Sequence, residues 1–318
     1  MKVALITMAG QATPVYADFA KPSPRQGQCL VQVTASAISH VTKSRASGVH
    51  YSADGAVPFI PGIDGVGMRE DGRRVYFLMP EHPYGAMAEF CLVDELHCIL
   101  LPDGLSDDTA AAMAIPGMSS WAALTERAQL RKGETVLING ATGVSGRLAV
   151  QVAKHLGASK VIVTGRQAAS LEALRSLGAD VTITLTQGGN TLETALKPVF
   201  ENGVDVVLDY LWGESAQATI VAAARFGPDG VPVRYVQIGA ASGGNITLPS
   251  AALRSSALHL MGSGMGSIPM PRLHAAIADV LAAAPMAGFQ VATQSMPLMQ
   301  VAQAWSIDDS RARTVLKP

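Results

Sequence analysis

The chain has 318 residues, 48% of them hydrophobic and only 15% charged. That is long enough for two domains of roughly 100–200 residues and too apolar for a disordered chain. The 24 Lys and Arg offset 25 Asp and Glu, so no basic excess exists to neutralise a nucleic-acid backbone. Cys29, Cys91 and Cys98 form no C-x-x-C and too few pairs for a disulfide framework, which reads as free thiols in a reducing compartment.

In chain order, the run at 1–8 ends at Gly10 and predicts a first strand. A short signal peptide is the alternative reading of that run, and the later features favour the cytoplasm. Short β-rich runs follow at 29–34, 74–78 and 89–93, separated by Gly and Pro. Residues 1 to about 112 therefore read as a mostly antiparallel, partly barrel-like β domain. From about Leu105 the pattern changes: strands at 135–139, 160–164, 181–185, 204–209, 234–238 and 258–261 are interleaved with helices at about 145–155 and 168–177. Such alternation implies a parallel sheet with helices on both faces. An Ala-rich stretch at 275–287 predicts one helix, and the last 30 residues return to β character at 290–295 and 313–316. No apolar run reaches the ~18–20 residues of a membrane span.

The most informative segment joins the strand at 135–139 to the helix behind it. It contains Gly140, Ala141, Thr142, Gly143, Val144, Ser145 and Gly146. Glycines in a strand–loop–helix setting let the backbone turn sharply and approach a pyrophosphate, and the last lets the helix pack on the strand. The helix N-terminus adds unpaired N–H groups and a positive dipole end. No Lys-Ser/Thr follows, so this is not a nucleoside-triphosphate P-loop. Twenty residues after Gly146, beyond Thr164 and Gly165, stands Arg166. An NAD-selective site places an acidic residue at about that distance. A guanidinium there pairs with a 2′-phosphate instead, which predicts NADPH.

The chain resembles the zinc-independent quinone oxidoreductase branch of the medium-chain dehydrogenase/reductase superfamily. Carrying the resemblance, in order, are Pro61-Gly62-Ile63-Asp64-Gly65-Val66-Gly67, the Gly-rich loop, Leu177-Gly178-Ala179-Asp180, Gly203-Val204-Asp205-Val206-Val207-Leu208-Asp209, Gln237-Ile238-Gly239 and the closing Arg313-Thr314-Val315-Leu316-Lys317-Pro318. It implies a GroES-like β domain over 1–112, completed by 268–318, around a Rossmann domain over 113–267, usually as a homodimer. The strand at 258–261 is the expected edge of that dimer. By the same resemblance Ile238, Gly239, Gly262 and Ser263 approach the nicotinamide end of the cofactor, and Arg313 belongs to the cofactor-binding set. Ser119 or Ser120 is expected to cap a helix start at 116–121 or to touch the cofactor.

Zinc-dependent relatives carry Gly-His-Glu where this chain has Gly62-Ile63-Asp64, so an imidazole ligand is replaced by a hydrocarbon. The nearby donors His40, His50 and Asp64 lack a known ligand spacing, and no metal is expected. The family's Asn-Pro-x-Asp segment is Ser39-His40-Val41-Thr42 here. Ser39, His40 and Tyr51 are the candidate catalytic residues, with His40 read either as a proton or hydrogen-bond donor or as a structural residue. The expected activity is hydride transfer from NADPH to a small-molecule quinone or α,β-unsaturated carbonyl. A zinc-free carbonyl or alcohol dehydrogenase and a non-catalytic NADPH-binding sensor are the alternatives.

Overall fold

The computed structural model describes residues 1–8, 10–11, 13–50, 56–185, 189–308 and 311–318. The chain opens with β1 (Lys2–Leu5), β2 (Val15–Asp18), β3 (Gln28–Ala37), α1 (His40–Ala46), β4 (Asp64–Arg69), β5 (Arg74–Leu78), β6 (Phe90–Asp94) and β7 (Cys98–Leu100). After α2 (Asp107–Ala122) strands and helices alternate: β8 (Thr135–Asn139), α3 (Val144–His155), β9 (Lys160–Gly165), α4 (Ala168–Glu172), β10 (Val181–Thr184), α5 (Gly189–Glu201), β11 (Val206–Asp209), α6 (Gly213–Phe226), β12 (Val233–Gln237), α7 (Ser250–Arg254) and β13 (Leu258–Gly262). The chain closes with α8 (Met270–Ala287), β14 (Thr293–Pro297), α9 (Val301–Ser306) and β15 (Arg313–Lys317). These elements form two compact units, residues 1–115 with 281–318 and residues 116–280.

The second unit is built on six strands in the order β10-β9-β8-β11-β12-β13, each pair parallel. Counted from β8 this is 3-2-1-4-5-6, the doubly wound Rossmann order. The central strands are buried along almost their whole length because helices cover both faces, so they read as apolar runs without alternation. Leu137, Ile162, Phe200, Val207, Ile220 and Tyr235 are among the buried residues on one side of the sheet. β13 lies at one end of this sheet and, among the described residues, pairs only with β12.

The first unit carries a mostly antiparallel sheet, β14-β15-β3-β4-β5-β7, with β6 also paired to β3. Its long strand β3 shifts register between Val33 and Ala35, a bulge that adds bend and twist. Val31, Val33, Val75, Phe77 and Val93 pack inside with Cys29 and Cys91, while Val3, Ile6, Ile38, Met87, Trp305 and Leu316 form a second cluster.

The expected mixed α/β fold is present, with local differences. The stretch at 116–121 does not start a helix. α2 already begins at Asp107, and Ser106 takes the cap, accepting from the Thr109 N–H at 3.2 Å. Ser119 and Ser120 lie in the later turns and donate back to the carbonyls of Pro116 and Gly117. Pro116 lies inside α2, which continues through it. Its neighbour Gly117 is needed for packing: a Cβ there would lie 2.6 Å from Val280 Cγ1. The helix expected over 168–177 stops at Glu172 and resumes as a 3-10 turn at 175–177, ended by Gly178 at φ +110°. α1 and α9 were absent from the sequence-based reading, having seven and six residues, too short for a helical period to show. No described helix is long and apolar enough to cross a membrane.

Candidate functional site

In the Rossmann unit the chemistry gathers at the carboxyl ends of the parallel strands. The switch point lies between β8 and β11, where successive connections leave in opposite directions. β8 ends at Asn139, and Gly140 turns the chain at φ +88°. A Cβ at 140 would lie 2.6 Å from Leu211 Cγ, so this glycine serves both the turn and the close packing. A Cβ on Gly146 would lie 2.5 Å from Ala141 Cα, which is how the first turn of α3 reaches the incoming loop. Gly143 is different. It caps α3 with ordinary extended angles and has nothing within 4 Å of where its Cβ would be. Its missing side chain leaves open space at the start of a twelve-residue helix whose first N–H groups, at Val144, Ser145 and Gly146, have no acceptor within the helix.

A buried polar chain holds this loop from beneath. Thr164 accepts the Gly140 N–H on its hydroxyl oxygen at 3.1 Å and the Ala141 N–H on its carbonyl at 2.9 Å. Its hydroxyl donates to Asn139 Oδ1 at 2.7 Å, and Asn139 Nδ2 donates to Asp209 Oδ1 at 2.8 Å and to Ser215 Oγ at 3.1 Å. Asp209 also accepts from the Leu211 and Trp212 N–H groups, holding Trp212 at φ +55°, a region that side-chain-bearing residues rarely adopt. Burial pushes the Asp209 carboxyl above its ordinary range, and these hydrogen bonds oppose the rise. Asn139, Ser215 and Leu211 were missed by the sequence-based reading, and Asp209 appeared there only within a motif. The sequence signal for Asn139 and Asp209 is a polar residue ending an otherwise apolar strand; Leu211 and Ser215 carry none.

At the next strand end, Gly165 lets β9 come close to Thr142: a Cβ there would lie 2.6 Å from Thr142 Cγ2. Arg166 follows, exposed and without an ion pair among the described residues. On the other side of the switch point, Ile238 and Gly239 donate their N–H groups to the Asp209 carbonyl. A Cβ on Gly239 would lie 2.6 Å from the Tyr210 carbonyl oxygen. Ser263 N–H donates to the Gln237 carbonyl, and Arg127 Nε fixes the Gly262 carbonyl at 2.8 Å. Arg127 ends a π-helical turn at 123–127 and is a further residue that the sequence did not reveal. Open space beside Gly143, helix N–H groups with no acceptor within the helix, and a guanidinium without an ion pair among the described residues are features that suit an NADPH molecule.

The remaining candidates lie in the first unit. Ser39 is buried and caps α1, its hydroxyl accepting the Thr42 N–H at 3.1 Å and lying 2.9 Å from Thr42 Oγ1. His40 is the exposed first residue of α1. Thr42 and Arg45, rather than Ser39 and His40, line a cleft of about 120 Å³ together with Phe59, Ile63, His82 and Tyr84. Tyr51 lies outside the described residues. Asp64 is fully enclosed at the start of β4, accepts the Tyr76 hydroxyl at 3.0 Å, and has its carboxyl pushed up to about 7 by burial, against the pull of Tyr76 and the Arg313 charge. Arg313 is itself buried in β15 and donates to the Ile38 carbonyl at 3.2 Å. Among the described residues no group of three His, Cys, Asp or Glu is placed to hold a metal ion.

Both the fold and the strand-end loop are those of a dinucleotide-binding oxidoreductase. A family model described as "Zinc-binding dehydrogenase" matches residues 145–282. The chain is 32% identical to a "probable NADPH-dependent quinone reductase" of Emericella nidulans, over the full length of both. It is also 32% identical to the chloroplastic NADPH-dependent alkenal/one oxidoreductase of Arabidopsis thaliana, over 52% of this chain and 47% of that one. Among solved structures, the quinone oxidoreductase of Thermus thermophilus, studied also as its complex with NADPH, superposes with a TM-score of 0.83 at 26% identity over the whole of both chains. The chain belongs to the quinone oxidoreductase branch of the medium-chain dehydrogenase/reductase superfamily.

Proposed function

We propose that this protein is an NADPH-dependent, zinc-independent reductase of quinones or α,β-unsaturated carbonyls, acting as a cytoplasmic homodimer. The observation that carries the cofactor assignment is Arg166, exposed and without an ion pair among the described residues, one residue past β9 and beside a loop whose Gly143 face is open. The N–H groups at the start of α3 hold the pyrophosphate and Arg166 pairs with the 2′-phosphate. The backbones at Ile238, Gly239, Gly262 and Ser263 set the far end of the cofactor. Bound NADPH supplies the hydride.

Zinc independence is supported by the donor chemistry. Ile63 offers no lone pair, and the Asp64 carboxyl is enclosed and engaged by Tyr76. Without a metal, the charge that develops on the acceptor oxygen is met by hydrogen-bond donors. We assign that role to Ser39, His40 and Tyr51; His40 is the exposed first residue of α1, and the Ser39 hydroxyl oxygen also caps that helix. A conjugated acceptor spreads this charge over its own framework and needs less help than an isolated aldehyde.

The homodimer reading rests on β13, which among the described residues pairs on one side only and exposes Leu260 at 37%. An uncovered apolar edge invites pairing with its two-fold mate. Cytoplasmic residence is supported by the three cysteines, which are free thiols in this structure.

The deciding experiment is a panel of quinones, enones and saturated aldehydes assayed with NADPH. Conjugated acceptors should show kcat/KM at least tenfold above saturated aldehydes, about 1.4 kcal/mol in the barrier. Products should be hydroquinones or saturated ketones. Allylic alcohols, or cofactor binding without turnover on any acceptor, would reject the assignment.

A further inference from the structure

Cys29 and Cys98 are 69 residues apart in sequence, yet their sulfurs lie 3.4 Å apart, in hydrogen-bond contact. Each belongs to a different kind of element. Cys29 sits in β3, paired with Val93 of β6, and the ladder from β3 to β4 begins two residues further on at Val31. Cys98 sits where a 3-10 turn at 95–97 passes into β7, a three-residue edge strand that among the described residues pairs only with β5. A disulfide requires the sulfurs to come within about 2.05 Å. The short edge strand and its turn can take up that movement while β3 stays in place. Cys98 is partly exposed, which admits a small oxidant, and Cys29 is 7% exposed behind it.

We propose that Cys29 and Cys98 form a reversible dithiol–disulfide site, oxidised by peroxides or other two-electron thiol oxidants. This goes beyond the hydride-transfer activity and does not depend on it.

The surroundings favour the reaction. With Cys98 as donor, the S–H···S contact lowers the pKa of the Cys29 thiol, and the Arg69 charge acts in the same direction. Burial of Cys29 opposes it, as do Glu95 and Asp71, both paired with Arg69. Cys91 shares the same apolar cluster but is fully enclosed, and burial pushes its thiol well above the ordinary value, so it stays reduced. In the oxidation, one thiol takes an oxygen from hydrogen peroxide, becoming a sulfenic acid and releasing one water. The other sulfur attacks it, the S–S bond forms, and the hydroxyl leaves with the second thiol's proton as another water. Two thiols thus lose two electrons and two protons, and one peroxide becomes two waters.

The test uses the full chain. It is treated with hydrogen peroxide or diamide, the remaining thiols are blocked under denaturing conditions, and the products are mapped by mass spectrometry. The expected wild-type result is the loss of two hydrogens, one blockable thiol at Cys91, a linked pair of peptides carrying Cys29 and Cys98, and full reversal by dithiothreitol. Cys98→Ser, a near-isosteric change at a partly exposed position, should abolish the link, and Cys91→Ala should retain it. Because the wild-type measurement alone identifies the bridge, a poorly folding variant does not blunt the test. Three blockable thiols after oxidation, a bridge through Cys91 or to a second chain, or oxygen addition with no bridge would each overturn the proposal.

Discussion

Asn139 and Asp209 end two neighbouring parallel strands and are joined by a 2.8 Å hydrogen bond directly beneath the Gly-rich loop. Asp209 collects the Asn139 amide and the N–H groups of Leu211 and Trp212, while Asn139 passes the contact on to Thr164 and so to Gly140. The turn after β8 and the turn after β11 are therefore set by one buried polar chain. Asn139→Leu removes a donor to a buried carboxyl and an acceptor for Thr164, and should cost about 1.5–3 kcal/mol. Urea unfolding measures this, and a loss under about 0.5 kcal/mol, the size of an ordinary surface change, would contradict it.

The three loop glycines should respond differently to alanine. At Gly146 a Cβ meets backbone atoms at 2.5–2.7 Å, and at Gly140 it meets Leu211 in a left-handed conformation. Both changes should lower stability by about 1–3 kcal/mol, the range for overpacking. Gly143→Ala has room, costs only a weaker helix cap, and should leave the melting temperature nearly unchanged. Its effect should appear as weaker NADPH binding, read by titration of the cofactor against the purified protein. Unchanged affinity would mean that the open face is not where the pyrophosphate sits.

Arg166→Ala should weaken NADPH binding by about 1–3 kcal/mol, the worth of a charge-assisted contact, and leave NADH binding almost unaffected. Comparable affinity of the wild type for the two cofactors would refute the pairing of Arg166 with the 2′-phosphate.

Asp64 predicts a pH dependence of stability. Its folded pKa is raised from 3.8 to about 7, so the folded state holds the proton more tightly than the unfolded one. The corresponding stability is fully present below about pH 4 and is lost as the pH rises to about 7. Relative to Asp64→Asn, which keeps an acceptor for Tyr76 without the charge, the wild type should lose stability across that window, by at most about 1.4 kcal/mol per pH unit. Parallel stability curves for the two proteins between pH 4.5 and 7 would show that Asp64 does not titrate this way.

Ser39→Ala should destabilise by about 1 kcal/mol through loss of the α1 cap, and Ser39→Asp should restore most of it. His40→Ala leaves the cap intact. A 10–1000-fold fall in kcat with little change in melting temperature is expected if His40 donates to the acceptor oxygen. A fall in stability alone would assign it a structural role.

The Rossmann half was legible in the sequence because its signals are local. A buried parallel strand must be an apolar run, and a sharp turn onto a helix must carry glycine, so 135–139, 160–164 and the loop at 140–146 could be placed from residue types alone. The spacing to Arg166 was equally readable, since one helix and one strand have fixed lengths. Tertiary structure decided what local rules leave open. Gly140, Gly143 and Gly146 look alike in sequence, and only the positions of Leu211 and Ala141 separate two packing glycines from one that leaves open space. Ser39 became a cap because a helix of seven residues formed behind it, and Ser119 and Ser120 lost that role because α2 had started a dozen residues earlier. Arg313 meets the Ile38 carbonyl, 275 residues away in sequence. The contact between Cys29 and Cys98 arises from the pairing of β3, β4, β5 and β7. Such contacts between distant residues depend on register and packing, which no short window of sequence contains.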